Sequence, residues 1–456
     1  MNLPPEEIAV ALGAEVVAEG ADEAPRRATI NSAEAGPGDL FFGLRGGNRD
    51  GGEFADAAME AGAWGAVIGQ KVRRTFSPDS GEKGRRASWV FVVEDPLAAM
   101  QGLAREWRYA LGARVVGVTG SVGKTSVKDI AKALLPGRVH ANQQNFNTEI
   151  GLPLAILEAP EDTDVLVLEM AMRGRGQIAE LAAIAEPEVA VITNVGPVHI
   201  ELLGSIEEIA AAKAEILDDL PQGGTAVAPV EAGALEPHLR SLARQLRFGP
   251  GGDVEALESK VADGVTEALV RTPLGSQRFH FPFAEAHNLA NALAAIAAAV
   301  ALGADLAGMA DRAADIGFSR FRGERLELPG GIVLVNDCYN ANPVSMRAAL
   351  DHLATLQAER AVAVLGEMGE LGPDSPRYHR EVGEHARAAG VDFVIGVGAS
   401  ARDYDPDELV ADPGEAAELL AARLEPGDAV LVKGSRSAGL EAVAEQLPEL
   451  VEVDDG

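Results

Sequence analysis

Short apolar runs bounded by glycine or charge alternate with longer stretches of helical period along most of the chain. Up to about Asp95, Asp39-Leu-Phe-Phe-Gly43 and Trp64-Gly-Ala-Val-Ile68 read as strands, and the polar, basic segment Lys71 to Ser88 reads as an exposed loop. Pro96 to Leu111 has the apolar spacing of an amphipathic helix, through Leu97, Met100, Leu103, Ala104 and Trp107. A buried-type strand, Arg114 to Gly120, then runs into glycine and is followed by a helix pattern from Thr125 to Leu135. Further strands are expected at Asp164 to Met170 and Val189 to Val195, and an alanine-rich helix at Ala286 to Leu302 closes this unit. After Arg320 the alternation restarts, with strands at Ile332 to Asn336, Ala361 to Leu365, Asp392 to Val397 and Asp428 to Lys433. Helices at Val344 to Leu356, Ser375 to Ala389, Pro413 to Leu424 and Ala438 to Leu447 lie between and after them. Strand alternating with helix predicts parallel sheets with covering helices.

Length turns this pattern into a domain count. At 456 residues the chain fits three α/β domains, expected at 1–95, 96–318 and 319–456: an N-terminal α/β domain, a central parallel-sheet domain and a C-terminal Rossmann-like one. Hydrophobic residues at 47% and charged residues at 24% suffice for several buried cores. No apolar run reaches membrane-spanning length, and the start MNLPPEEIAV lacks the features of a signal peptide, so a cytoplasmic location is expected. Cys338 is the sole cysteine, which excludes an intramolecular disulfide. The net charge of −31 repels nucleic-acid phosphates, so neither nucleic acid nor membrane is expected as a partner. An anionic small substrate must then be held locally, where Lys or Arg meets glycine.

The strongest such place is Gly117-Val-Thr-Gly-Ser-Val-Gly-Lys-Thr-Ser126, between an expected strand and an expected helix. Glycines let backbone amides curl around phosphate oxygens, and the helix N-terminus adds partial positive charge. Thr119, Gly120, Ser121, Val122, Gly123 and Ser126 form the loop; Lys124 is placed to neutralise β and γ oxygens, and the Thr125 hydroxyl to coordinate magnesium. Compared with the common G-x-x-x-x-G-K-[ST] pattern, the opening glycine, Gly117, lies one position further out. Glu169 ends an apolar strand, where a carboxylate meets a nucleotide's metal. His199 follows another strand. Lys213 sits among alanines on a helix pattern; desolvated there it would favour its neutral amine, whereas an ordinary helical lysine would snorkel outward. Asp337, Tyr339, Asn340 and Asn342 make a polar cluster at a strand end, and Val432-Lys-Gly-Ser-Arg-Ser437 offers cations beside glycine at another.

Taken in order, these motifs resemble the Mur ligase family over essentially the whole chain. Thr119-Gly-Ser-Val-Gly-Lys-Thr-Ser126 is similar to that family's TGTNGKTT loop, Asn142 to Pro153 to its NxNxxIGxP segment, and His287-Asn-Leu-Ala-Asn291 to its HNxxN helix start. Tyr339-Asn-Ala-Asn-Pro-Val-Ser-Met346 and Leu365-Gly-Glu-Met-Gly-Glu-Leu-Gly372 resemble the branch that adds D-alanyl-D-alanine; the DNPR motif of the diaminopimelate-adding branch is absent. The resemblance implies ATP and two Mg2+ ions, with Lys124 and Thr125 on the phosphates and metal, Glu169 and His199 organising the metal sites, and Lys213 carbamylated as ligand of the second. It implies catalytic roles for Lys124, Glu169, His199 and Lys213. It places Asn288 near adenine, and Arg325 and Asp337 at the nucleotide once the third domain closes. Asn145, Asn147 and Thr148 would line the groove for the UDP-N-acetylmuramoyl-peptide, with Ser32 beside the uridine, while Tyr339, Asn340, Asn342, Lys433 and Ser435 complete the substrate contacts. Two family elements of the first domain are altered, to Asn31-Ser-Ala33 and Asp50-Gly-Gly52, which removes polar groups from the uridine site. The alanine at 171 replaces a common glycine.

The implied enzyme is a monomeric, ADP-forming ligase of peptidoglycan precursor synthesis that joins D-alanyl-D-alanine to a UDP-N-acetylmuramoyl-tripeptide through an acyl phosphate. Two other readings share the loop: a folylpolyglutamate- or cyanophycin-type ligase of the same family, and a P-loop ATPase switch.

Overall fold

The computed structural model describes residues 1–73, 88–143, 145–198, 200–240 and 244–452. Four sheets organise them. The first contains β1 (Glu15–Ala18), β2 (Arg27–Thr29), β3 (Asp39–Phe42), β4 (Gly65–Gly69) and β5 (Trp89–Val93), in the order β1-β5-β4-β3-β2. Only the β1–β5 pairing is antiparallel. The expected loop from Lys71 begins as a helical turn, Gln70–Arg73, and residues 74–87 of it lie outside the described residues.

Helix Pro96–Leu111 leads into the second sheet. Proline at its first position and the Asp95 carboxylate, which accepts from Leu97 N at 2.9 Å, fix its start. Its Met100, Leu103, Ala104 and Trp107 pack into one apolar cluster with Leu40, Phe42 and Phe91 of the first sheet and Leu166 and Leu168 of the second, so the helix is the wedge joining the two. The second sheet is wholly parallel, ordered β11-β10-β9-β6-β8-β7 from β6 (Arg114–Thr119), β7 (Val139–Ala141), β8 (Val165–Glu169), β9 (Val189–Ile192), β10 (Thr225–Pro229) and β11 (Gln245–Phe248).

The alternation expected for this unit is interrupted by an antiparallel meander, β12 (Glu255–Ala262), β13 (Val265–Thr272) and β14 (Gly275–Phe281). Its inner residues Ala268, Val270, Phe279 and Phe281 pack on the alanine-rich helix Ala286–Ala301, which also covers the second sheet.

The last sheet holds β15 (Glu324–Leu328), β16 (Ile332–Asn336), β17 (Arg360–Leu365), β18 (Phe393–Val397), β19 (Glu408–Val410) and β20 (Asp428–Lys433), ordered β15-β16-β20-β17-β18-β19. It is parallel except for the edge strand β15. Its carboxyl edge faces that of the second sheet across a cavity of about 430 Å³, the place where α/β sheets bind ligands.

Candidate active site

The glycine loop leaves β6 and ends at helix Lys124–Leu134, whose N-cap is Gly123 at φ 80°. Two glycines are required here by space as well as dihedral. A Cβ at Gly120 would lie 1.9 Å from Thr193 Oγ1, and one at Gly123 would lie 2.3 Å from Asn291 Oδ1. The loop is braced from behind: Asn194 Oδ1 accepts from Ser121 N at 3.1 Å and Val122 N at 2.9 Å, and Thr193 Oγ1 donates to Val122 O. Asn194 was missed as a site residue in the sequence, although its polar strand-end context was the available signal. Ser121, Val122, Gly123, Lys124, Thr125 and Ser126 line the cavity, while Thr119 lies fully buried beneath it. Lys124 Nζ donates to Gly120 O at 2.9 Å. Burial and the neighbouring Arg322 lower the Lys124 pKa, with Glu169 opposing them.

Beside the loop, the Thr125 hydroxyl donates to Glu169 Oε2 at 2.8 Å, and Asn147 Nδ2 donates to Glu169 Oε1 at 2.8 Å. Asn142 clamps the backbone of Glu169 from both sides, with its Nδ2 on the carbonyl and its Oδ1 on the N–H. Burial alone would raise the Glu169 carboxyl, but Lys124, Lys128, Arg322 and the Thr125 hydroxyl outweigh it and hold the pKa below the ordinary glutamate value. The group therefore stays an anion beside the phosphate loop. A hydroxyl and one ionised carboxylate, with room for phosphate oxygens and water, fit a magnesium ion. Among the described residues no cluster of three or more His, Cys, Asp or Glu forms a ready metal site, and His199 lies outside them.

Lys213, on helix Ile206–Ala214, is 1% exposed. Burial, reinforced by the charge of Lys124, drives its pKa well below the usual lysine value. No hydrogen bond or ion pair holds its amine among the described residues. Of the two states open to a lysine among alanines, desolvated or snorkelling outward, this side chain adopts the first.

The opposite wall comes from the last sheet. Arg322 reaches Thr125 Oγ1 with its NH2 group at 3.2 Å and stacks over the Tyr339 ring at 4.1 Å. Its Nε is buried without a partner. Arg325, chosen from the sequence for this place, lies outside the cavity wall on β15, half exposed and 3.6 Å from Glu327. Alternation along β15 puts Arg325 on the exposed face beside Glu327, whereas Arg322 precedes the strand and lines the cavity. Asp337, Asn340, Asn342 and Lys433 line the cavity. The Tyr339 hydroxyl bonds to Asn145 Oδ1, linking the two walls, and Asn145 is held at φ 69°. Asn342 caps helix Pro343–Thr355, its Oδ1 accepting from Ser345 N at 3.0 Å.

From the central unit, Asn288 and His287 enter the cavity at the start of helix Ala286–Ala301. Asn291 Nδ2 donates to Asn288 Oδ1 at 3.1 Å, and Asn288 Nδ2 to Glu285 Oε2 at 3.2 Å. Ser435 lies just behind the wall, its Oγ accepting from Gly369 N at 2.8 Å. Thr148 Oγ1 accepts from Gly151 N at 3.4 Å at the head of the helix after the Asn145–Asn147 turn. Ser32 follows β2 in a turn that Asn31 organises, with Asn31 Oδ1 accepting from Ala33 N at 3.1 Å. Asp50 Oδ1 accepts from Gly52 N at 3.1 Å. A Cβ at Gly43 would lie 2.5 Å from Gly52 Cα, so glycine at 43 is fixed by backbone packing against the altered segment.

A phosphate-binding loop on one α/β unit, faced across a cavity by an arginine and a polar strand end on another, defines a nucleotide-using enzyme that works between two units. The Mur ligase middle domain profile matches residues 118–299, and the profile described as Mur ligase, glutamate ligase domain matches residues 321–436. The UDP-N-acetylmuramoyl-tripeptide--D-alanyl-D-alanine ligase of Synechocystis is 38% identical over 429 residues, covering 90% of this chain and 89% of the relative. The ligase of the same name from Escherichia coli is 34% identical over 444 residues, covering 94% and 95%. Among solved structures, MurF from Acinetobacter baumannii superposes with a TM-score of 0.87 at 27% identity, covering 98% and 99%, and MurF from Thermotoga maritima in complex with ADP with 0.79 at 31% identity, covering 94% and 98%. The chain belongs to the Mur ligase family.

Proposed function

We propose that this chain is an ATP-dependent, ADP-forming ligase that adds D-alanyl-D-alanine to a UDP-N-acetylmuramoyl-tripeptide in peptidoglycan precursor synthesis, through an acyl phosphate. One observation carries the reading: the loop of Lys124 and Thr125 and the polar segment Asp337 to Asn342 line one cavity from opposite walls. A phosphorylated carboxylate formed at the first is thereby open to an amine held at the second. The tripeptide carboxylate attacks the γ-phosphorus with ADP leaving. The dipeptide amine then adds to the acyl carbon, and phosphate departs. Lys124 and Arg322 stabilise charge on the transferred phosphoryl group, and Thr125 and Glu169 hold the first magnesium.

Lys213 supports a second metal in this reading. Its neutral amine can add to carbon dioxide, forming an N–C bond and releasing a proton, and the carbamate would then hold the second metal together with His199. Asn288 lies on the adenine side, with Asp337 across the cavity. Asn145, Asn147 and Thr148 sit along the nucleotide-sugar peptide, Ser32 at its uridine end, and Tyr339, Asn340, Asn342 and Ser435 at the dipeptide. The corresponding units are 1–95 for the UDP-sugar peptide, 96–318 for ATP and 319–456 for the dipeptide. No helix among the described residues is long and apolar enough to cross a membrane, which supports a cytoplasmic enzyme. We take it to act as a monomer, to be checked by sedimentation.

ADP release should require both the UDP-tripeptide and D-alanyl-D-alanine; equal release without the dipeptide overturns the assignment. For Lys213, 13C-labelled bicarbonate should give a carbamate carbon resonance that disappears in Lys213→Met. A spectrum identical in the two proteins removes the second-metal role.

A further inference from the structure

Lys433 ends the central strand β20 and is 2% exposed, yet it belongs to the cavity wall. Its Nζ lies 2.6 Å from Asp337 Oδ2, 3.0 Å from Asn340 O and 3.3 Å from Asp337 O. A lysine ammonium has three donors. All three are spent on the loop that leaves β16, so none is left for a ligand. Asp337 in turn is 20% exposed, and no hydrogen bond runs to its second carboxylate oxygen among the described residues. That oxygen is the acceptor the cavity can use.

We propose that Lys433 is a positioning residue that acts through Asp337: it fixes the Asp337 carboxylate and the Asn340 carbonyl, and so sets the wall formed by Asp337, Asn340 and Asn342, without itself touching the dipeptide. This departs from the family-based expectation that Lys433 binds substrate, and it rests on the reading of the cavity as the site of ligation. Two features make it specific. Asp337 N also donates to Val432 O at 2.9 Å, so the loop is tied to β20 by backbone and side chain together. Such a pair also costs more to halve than to remove whole, because Lys433 alone is a buried charge and Asp337 alone, 20% exposed, a poorly solvated one.

The test is a double-mutant cycle on the full chain, with Lys433→Met, Asp337→Asn and the double variant. Readouts are Tm, affinity for a non-hydrolysable ATP analogue with magnesium, and the KM and kcat for D-alanyl-D-alanine. Lys433→Met should weaken nucleotide binding and lower kcat by roughly ten- to a hundredfold, the effect of displacing a positioned group. Adding Asp337→Asn should make neither worse, and the double variant should melt above Lys433→Met. Overturning results are an effect confined to the dipeptide KM with nucleotide affinity unchanged, or losses that multiply in the double variant; either makes Lys433 a direct ligand. Because nucleotide affinity and Tm are read without turnover, the coupling stands or falls separately from the assigned ligase activity: a wild type inactive on both substrates overturns only the latter.

Discussion

Thr125 answers to two sheets at once: its hydroxyl donates to Glu169 at the end of β8 and accepts from Arg322, which precedes β15. Removing that one oxygen unties the metal-facing carboxylate and the arginine together. Thr125→Val should therefore reduce magnesium-dependent nucleotide affinity and kcat by about a hundredfold, the usual scale for one preorganised polar contact at a reacting phosphoryl group; titration calorimetry with a nucleotide analogue and a coupled ADP assay measure both. A variant within twofold of wild type in both would show that this junction is only structural. The phosphate loop was legible in the sequence because its residues are local in the chain, Lys124, Thr125 and the glycines following from one stretch, whereas alanine surroundings alone leave Lys213 either desolvated or turned to solvent. Arg322 was not, since Arg322 and Arg325 are equally plausible in text and only the start of β15 between them separates the two: Arg325 lies on the strand's exposed face, Arg322 ahead of it at Thr125. Asn194 was missed for a related reason. Its role depends on contact with a loop more than seventy residues away in sequence.

Elements were read best where their signals lie within themselves. Helix Pro96–Leu111 announces its start with Asp95 and Pro96 and its end with Gly112 at φ 61°. The meander β12–β14 went unread although Asp263-Gly264, at φ 50° and 75°, carries the Asp-Gly signature of a two-residue hairpin turn; the charged, exposed β12 hid the alternation on either side of it. Contacts between elements leave no such trace. Helix Ser375–Ala388 approaches the stretch Ala399–Tyr404 so closely that a Cβ at Gly383 would lie 2.0 Å from Tyr404 O. Gly383→Ala should cost about 1–3 kcal/mol or more through overpacking, seen as a lower denaturation midpoint; an unchanged midpoint would mean that the two elements part freely. The same helix carries His379, fully buried, whose Nε2 accepts from Met368 N at 3.0 Å and whose Nδ1 faces Ser375 O at 2.8 Å. Burial lowers its pKa from 6.5. The folded protein then binds this proton less readily than the unfolded chain. Its stability is complete above the unfolded value and is lost as pH falls below it, until the folded value is passed. Tm should fall from pH 7.5 toward 5.5, and His379→Leu should shallow that slope while lowering Tm at neutral pH, because Met368 N loses its acceptor. An identical slope in the variant would assign the loss to the other histidines whose pKa is lowered by desolvation, His140, His287 and His352.

At the scale of the molecule, the buried apolar clusters stop at the junction between units: none of those described joins residues up to Phe318 to residues from Phe321 on. Hydrogen bonds and ion pairs cross the junction instead, from Arg322 to Thr125, Tyr339 to Asn145, Arg173 to Glu370 at 3.4 Å and His352 to Glu285 at 3.6 Å. Interfaces of this kind permit relative motion of the units they join. Charge pushes in the same direction. Residues 1–318 carry 44 acids against 27 Lys and Arg, and residues 319–456 carry 26 against 12, so both sides of the cavity repel each other. Lowering ionic strength from about 0.15 M to about 0.01 M lengthens the screening distance from roughly 8 Å to 30 Å, beyond the width of a nucleotide cleft. The unliganded chain should therefore expand at low salt, read as a larger radius of gyration in X-ray scattering, and Tyr339→Phe, which loses the bond to Asn145, should expand at higher salt than wild type. Magnesium with an ATP analogue should restore the compact radius in both, since it adds contacts to Lys124 and Arg322 from the two sides. A radius independent of salt, alike in wild type and variant, would mean that the polar bridges hold the units as one rigid body and that substrates enter without any opening between them.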